Sequence, residues 1–430
     1  MRKKIAFKTL GCRLNQYETD SVTTDFMNAG YEIVDFSKPA DAYVINTCTV
    51  TNMSDHKSRQ NVSQAFRRNE ETVLVVTGCM VNNHKAKLEK NDRITYLVEN
   101  ESKGQIFNLL DSHFRGEIIT PDELNRNRFS FGAPDAGLRT RSMIKIQDGC
   151  DNFCTFCIVP HVRGRAESRP FSDIEANILQ VLDKGFKEIV LTGVNIGRYE
   201  HNGLNFEGLV ERILNIPGDF RVRISSIEPE GFGDRLFELF GHPKLTPHLH
   251  MCLQSGSEKV LLRMRRQYTV DIFTQMVNKI KKKYSDFNFT TDIIVGFPGE
   301  TEDDFQETCR VVEEIGFSHI HTFKYSVRKG TRAERLQGQL PDQIKNERST
   351  LIRDLAEKNK RIYRSSFIGK TQRVLVEKID QRNYAGGYGE HYIPVKFRTN
   401  DKSSLKNFMD VLITGIEKSD DPNLIGTPVM

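Results

Sequence analysis

The chain has 430 residues, a net charge of +5, 38% hydrophobic and 28% charged residues, and only 30 Gly and 14 Pro. This length accommodates two to four domains of roughly 100–200 residues, and the composition excludes a disordered or fibrous chain. No apolar run approaches the ~20 residues of a membrane span, "MRKKIAFKTLGC" turns polar before a secretory segment can form, and eight cysteines are too few for a disulfide scaffold, so a cytoplasmic protein without membrane partners is expected.

Residues 1–118 alternate short apolar or β-branched runs, "KIAFKTLGC", "ADAYVINTC" and "TVLVVTGC", with amphipathic stretches, the pattern of an α/β domain with a parallel sheet. Cys12, Cys48 and Cys79 each follow one of these predicted strands. Parallel strands put their carboxyl ends on one edge, where α/β sheets place their sites, so three thiolates converge there. A buried inert thiol is the ordinary reading of any one of them; three at equivalent places, two behind the glycines of "TLGC" and "VTGC", point to a metal centre. Residues 119–135, "ITPDELNRNRFSFGAPD", lack periodicity and read as a linker.

From 136 to 366 six strand candidates follow, "SMIKIQDG", "KEIVLTGVN", "RVRISSIEP", "HLHMCLQSG", "FNFTTDIIVGFP" and "HIHTFKYSV", separated by helical stretches. One of these opens with a predicted Ser172/Glu175 capping box. The repeat predicts a partial (β/α)6 TIM-like barrel, with a long basic helix leaving it at "DQIKNERSTLIRDLAEKNKRIYRSS". Residues 367–430 carry alternating strands "TQRVLVEKI", "HYIPVKFRT" and "FMDVLITGIEK" joined by loops such as "NYAGGYGE", which predicts a small antiparallel OB-like β-barrel.

The loop "GCDNFCTFC" puts Cys150, Cys154 and Cys157 within reach of one inorganic centre. Structural zinc wants four protein ligands in two close pairs, and no partner pair lies downstream. A 4Fe-4S cluster held by three cysteines keeps one iron open, so the missing fourth ligand is a functional vacancy. Cys252 and Cys309 stand alone and read as core residues, and His242, His248 and His250 show no metal-ligand spacing.

With Phe156, these three cysteines complete the C-x3-C-x-aromatic-C signature and resemble the radical S-adenosylmethionine superfamily. That resemblance implies that the open iron chelates S-adenosylmethionine and that an electron from the cluster generates a 5′-deoxyadenosyl radical. It further implies cofactor contacts at strand ends. Gly193 in "LTGVNIG" stands at the turn for the methionyl amino group; Gly296 and Glu300 in "DIIVGFPGE" lie beside the adenine, with Asp292 replacing a glycine; Ser225, Glu228 and Gln254 contact ribose or carboxylate. Polar residues at strand ends also serve as helix caps.

The amino-terminal motif "TLGCRLNQYETD", with Asn15 and Glu18 in N-x-x-D/E positions, together with "VINTCTV" and "VTGCM", resembles the methylthiotransferase family over nearly the whole chain. The resemblance implies a second 4Fe-4S cluster on Cys12, Cys48 and Cys79 that carries the sulfur, two roles for S-adenosylmethionine as methyl donor and radical source, and a terminal RNA-binding barrel called TRAM. It also implies a flavodoxin- or ferredoxin-type electron donor and the iron–sulfur assembly machinery as partners. "TGVNIGRY" is similar to the branch that modifies N6-threonylcarbamoyladenosine 37 in the tRNA anticodon stem-loop, with Arg13 where that branch more often has Lys. Other branches act on isopentenyladenosine of tRNA or on an aspartate of a small-subunit ribosomal protein, and a non-catalytic iron–sulfur RNA-binding protein is a further alternative. "VRGRAESR" and "RMRRQY" offer cations to phosphates, whereas "KIKKK" reads as a solvated helix face. The terminal barrel has nine Lys plus Arg against eight Asp plus Glu, so Tyr384, Tyr388, Tyr392 and Phe397 either stack on bases or fill its core.

Overall fold

The three strands expected in the amino-terminal region form β1 (Lys4–Thr9), β3 (Ala42–Thr47) and β4 (Val73–Gly78); β2 (Glu32–Val34) and β5 (Tyr96–Val98), too short to show alternation in the sequence, flank them. The structure, a computed structural model, describes residues 2–429 except Ile118, Ala136 and Asp420, so the expected boundaries at 118 and 136 fall outside the described residues. The chain forms two compact units. The first comprises residues 1–184, 192–194 and 326–334, and the second comprises the remainder.

In the first unit the five strands are all parallel in the order β2-β1-β3-β4-β5. Every residue of β3 and β4 is buried, as expected of a sheet covered on both faces. Alternate residues divide between two cores: Val44 and Val75 pack with Tyr17, Phe26 and Leu109 on one face, and Tyr43, Ile45, Leu74 and Val76 with Val62 on the other. Each fully buried aliphatic side chain contributes roughly 1.5–3 kcal/mol. Helices α1 (Arg13–Asn28), α2 (Asn52–Arg68), α3 (Cys79–Leu88) and α4 (Ile106–Arg115) make the crossovers and coverings.

The segment read as a linker is packed into this unit. Leu124 and Phe131 join the first core, and the Phe131 carbonyl accepts from the Tyr17 hydroxyl. Strand β6 (Ser142–Lys145), α5 (Val159–Arg163) and α6 (Phe171–Asp183) complete it. Helix α6 starts at Phe171 behind Pro170, one residue before Ser172, so the expected Ser172/Glu175 capping box does not form. Pro170 holds the cap position, and its backbone carbonyl accepts from the Asp173 and Ile174 amides with no side-chain cap.

In the second unit, β7 (Glu188–Thr192) runs parallel to β8 (Arg221–Ile224). Ser226–Ile227, β9 (His248–Met251), β10 (Asn288–Val295) and β11 (His319–Lys324) form a four-stranded parallel sheet. With β6, all six barrel strands read from the sequence are present. The basic helix α7 (Asp342–Ser365) packs back instead of leaving: Arg348 pairs with buried Glu300 at 2.7 Å, Asn359 donates to the Val312 carbonyl, and Ile352 is fully buried.

The terminal strands close a five-stranded barrel in which Tyr384–Tyr388, part of the run read as a loop, is a full strand between Thr371–Ile379 and Pro394–Arg398. The glycines that made it look like a loop are steric: a Cβ on Gly387 would stand 1.9 Å from the Leu375 carbonyl oxygen. Gly387→Ala is therefore expected to open this barrel. Limited proteolysis should cut the variant after residue 366 well before the wild type, and equal cleavage rates would show that the barrel absorbs the methyl group.

Candidate functional site

Because β1, β3 and β4 are adjacent and parallel, the loops carrying Cys12, Cys48 and Cys79 leave the same sheet edge. The order 2-1-3-4-5 reverses direction between β1 and β3, the place where open α/β sheets bind ligands. The thiols converge there. A Cβ on Gly11 would lie 2.9 Å from Cys48 Sγ, and burial, with the nearby Cys79 and Cys12 sulfurs, pushes the Cys48 thiol up. Cys48 and Cys79 are buried and Cys12 is exposed, so the group has an open side.

Asn15 ties the first two loops together by donating to the Leu10 and Thr47 carbonyls at 2.8 and 3.0 Å. Asn46 in turn donates to the Asn15 carbonyl at 2.9 Å.

The second triad lies in the same unit. Cys150 donates its amide to the Gly164 carbonyl and Cys157 to the Cys154 carbonyl, folding the loop around Asn152, whose amide points at Cys150 Sγ at 3.5 Å. Gly11, Gly78 and Gly149, each one residue before a cysteine, all have positive φ, at 97°, 97° and 71°. Only glycine adopts this conformation cheaply, which explains the three "GC" pairs. Cys79 packs with Ile158 and Val162, which follow Cys157, and Asn100 bridges Cys79 Sγ and the Val162 carbonyl. The two cysteine loops are thus neighbours.

Between them runs a buried charge network that local sequence patterns did not reveal. Glu18 on α1 accepts from Lys103, from Lys145 at 2.8 Å and from Arg163 at 3.1 Å; Asp148, two residues before Cys150, accepts from Arg163 at 3.0 Å and Lys145 at 2.6 Å. Arg163 also donates to Asn15 Oδ1 at 2.6 Å. All five charged side chains are at most 3% exposed. Burial works against the Glu18 carboxylate, yet Arg163, Lys103 and Lys145 outweigh it and hold its pKa well below the ordinary carboxylate range. Three cations against two anions leave a positive excess beside six thiols. The donor set therefore suits anionic thiolate-ligated clusters: soft ligands, no disulfide, and compensating charge.

Gly193 belongs to the first unit. The amide of its neighbour Val194 donates to Gln147, and the Thr192 carbonyl accepts from Ile146, three residues ahead of Gly149. Ser225, Glu228, Gln254 and Gly296 belong to the second. Glu228 pairs with Arg266 at 2.9 Å and neighbours Glu230, whose pKa burial and Glu228 together raise to about 7. Gln254 has a φ of 66° and exchanges backbone hydrogen bonds with β10. The Gly296 amide donates to Glu300, whose carboxylate also takes Arg348; Glu300 thereby braces this loop.

Three comparisons with known proteins bear on this arrangement. Residues 4–99 match the Uncharacterized protein family UPF0004 and residues 144–312 the Radical SAM superfamily. The chain is 38% identical over 406 residues to the threonylcarbamoyladenosine tRNA methylthiotransferase MtaB of Bacillus subtilis, covering 92% of this chain and 90% of that protein. It belongs to the radical SAM methylthiotransferase family. The MtaB of Thermotoga maritima is 36% identical over 93% and 92% of the two chains. A tRNA-2-methylthio-N(6)-dimethylallyladenosine synthase of Fusobacterium nucleatum is also 36% identical, over 89% and 90%. Among solved structures, the radical S-adenosylmethionine methyltransferase TsrM of Kitasatospora setae superposes with a TM-score of 0.56 over 75% of this chain and 73% of that one at 12% identity, a likeness of fold.

Several readings of single residues change. Within "VRGRAESR", Arg163 is locked in the network, Arg169 is buried against Asn177, and only Arg165 faces solvent. In "RMRRQY", Arg266 is committed to Glu228. In "KIKKK", Lys279 and Lys283 pair with Asp234 and Glu238 and Lys281 donates to the Ile315 carbonyl, as a solvated helix face should. Phe397 is core, and Tyr388 stacks on Tyr392, which Arg223 covers at 3.7 Å. Tyr384 remains half-buried at the rim under Lys396 and Arg398.

Cys252 does have neighbours: its thiol, His250 Nε2 and Asp292 form one tight group across β9 and β10, with His250 to Asp292 at 3.2 Å. Cross-strand register brings these residues together, and no linear spacing encodes it.

Proposed function

We propose that this protein inserts a methylthio group at C2 of N6-threonylcarbamoyladenosine 37 of tRNA. The observation that carries the reading is the pair of cysteine triads on neighbouring loops of one unit, in a chain that matches proteins of that name along almost their whole length. Cys150, Cys154 and Cys157 would hold one 4Fe-4S cluster, and Cys12, Cys48 and Cys79 would hold a second. When bound, the clusters and S-adenosylmethionine supply radical and methyl-transfer chemistry, which an aromatic C–H requires because no side-chain base removes such a hydrogen.

The chain's own residues provide position and shielding. Asn15, Glu18 and Arg163 fix the two cysteine loops relative to each other, and Ile158 and Val162 keep water from Cys79. Phe156 and Gly193 of the first unit are proposed cofactor contacts, and so, each by itself, are Ser225, Glu228, Gln254 and Gly296 of the second. An anticodon-loop adenosine is already unpaired and is splayed into a pocket at modest cost. The setting is cytoplasmic, with a flavodoxin- or ferredoxin-type reductant and iron–sulfur assembly proteins as partners. No helix among the described residues is long and apolar enough to cross a membrane.

Nucleoside mass spectrometry of tRNA from cells with and without the gene tests this. Loss of 2-methylthio-N6-threonylcarbamoyladenosine with build-up of its unthiolated precursor is the expected result. Loss of the methylthio-isopentenyl nucleoside instead would move the substrate to the branch named for the Fusobacterium relative, and unchanged tRNA nucleosides would overturn the reading.

A further inference from the structure

Behind the Cys48 and Cys79 loops the first unit encloses a cavity of about 570 Å³, within the roughly 300–1,000 Å³ range of small-ligand sites. Its wall is built in three chemically distinct parts. Val62, Met80 and Leu88 form an apolar face. Arg59, Lys87 and Lys329 stand around it, all exposed and with no hydrogen bond or ion pair among the described residues. The side-chain Nδ2 groups of Asn52 and Asn91 likewise have no acceptor among the described residues.

The cavity's one acid is already neutralised. Asp55 is 5% exposed, is held by Arg328 at 2.8 Å, accepts from Thr49 at 2.6 Å, and has His84 3.7 Å away. Three unpaired cations beside a cancelled carboxylate make the cavity an anion site, and an apolar face with free amide donors adds the means to hold a flat heterocycle.

We infer that this cavity binds a nucleotide: the base lies against Val62, Met80 and Leu88, its edge or ribose accepts from Asn52 and Asn91, and its phosphate meets Arg59, Lys87 and Lys329. Met80 directly follows Cys79, and Thr49 directly follows Cys48, so the cavity adjoins the amino-terminal triad with Thr49, Asp55 and Arg328 as the partition. A nucleotide flanking the modified adenosine in the RNA is the source that fits this placement; that choice of source, though not the pocket, rests on the tRNA reading above.

The test uses the cluster-loaded protein and a variant combining Arg59→Ala, Lys87→Ala and Lys329→Ala. One arm measures affinity for an anticodon stem-loop RNA across a salt series, and the other measures retention of adenosine monophosphate by equilibrium dialysis. S-adenosylmethionine cleavage without RNA serves as the control for intact folding. Each lost phosphate contact to a single strand lowers the log–log salt slope by about 0.7, so removing the three cations that meet this one phosphate should lower the slope by about 0.7, with weaker RNA binding throughout. An unchanged RNA slope with nucleotide retained by the wild type and lost by the variant keeps the pocket and makes a free nucleotide its ligand. If neither quantity differs between the proteins, the inference is overturned. A wild type that binds no RNA would refute the tRNA reading alone, and the dialysis arm would still decide the pocket.

Discussion

Cys154→Ala is expected to abolish S-adenosylmethionine cleavage, whereas Cys48→Ala should retain cleavage and lose methylthio insertion. The two thiols belong to different triads whose loops are fixed by different elements, Cys154 between β6 and α5 and Cys48 between β3 and α2. Removing one thiolate from a three-thiolate site leaves its metal centre without a closed donor set. Iron analysis of the purified variants separates this from general misfolding: each should lose about half of the wild-type iron, and each from a different cluster. Cleavage by Cys154→Ala at the wild-type rate would remove the assignment of Cys150, Cys154 and Cys157, and full insertion by Cys48→Ala would remove that of the amino-terminal triad.

The second large effect is expected at a residue that touches neither sulfur group. Glu18→Gln leaves Lys145 and Arg163 with Asp148 alone and Lys103 with no carboxylate partner among the described residues, with no route to water, since Glu18 and Lys145 are fully buried. Breaking a buried ion network by removing one partner costs about 3–5 kcal/mol, a large part of the 5–15 kcal/mol that holds a typical domain together.

The measurement is a urea unfolding series. It should show a markedly lower midpoint for Glu18→Gln and a partial recovery for Glu18→Asp, which restores the charge on a shorter arm. An unchanged midpoint for Glu18→Gln would mean that the network contributes nothing to folding.

The same carboxylate predicts a pH dependence. Its pKa is lowered in the folded protein, so its stabilisation is complete above the unfolded carboxylate value of about 4.3 and is lost as the pH falls towards the folded one. Below pH ~4 the gap in stability between wild type and Glu18→Gln should narrow.

What could be read from the sequence was whatever is written locally or follows from a regular element. Cys150, Cys154 and Cys157 are contiguous, so a single loop must bring them together. Cys12, Cys48 and Cys79 are distant, yet each ends a strand, and parallel pairing carries strand ends to a common edge whatever the intervening length. The six barrel strands were legible through their β-branched runs. The strand at Tyr384–Tyr388 was not, because a close backbone approach demands the same glycines that a turn does.

Tertiary structure alone decided which charged residues work as one group. Glu18 and Arg163 stand 145 residues apart, and although Glu18 falls in the amino-terminal motif and Arg163 in a basic run, nothing in the sequence pairs them. Arg328 comes 273 residues after Asp55 to cancel it, and that pairing turns a mixed-charge surface into a pocket for anions. The grouping of His250 and Cys252 with Asp292 depends on the register of β9 against β10. Burial makes such pairs strong and specific, and burial is a property of the packed chain: the sequence by itself determined the elements and the thiols they carry, and the packing determined which charges lie near those thiols.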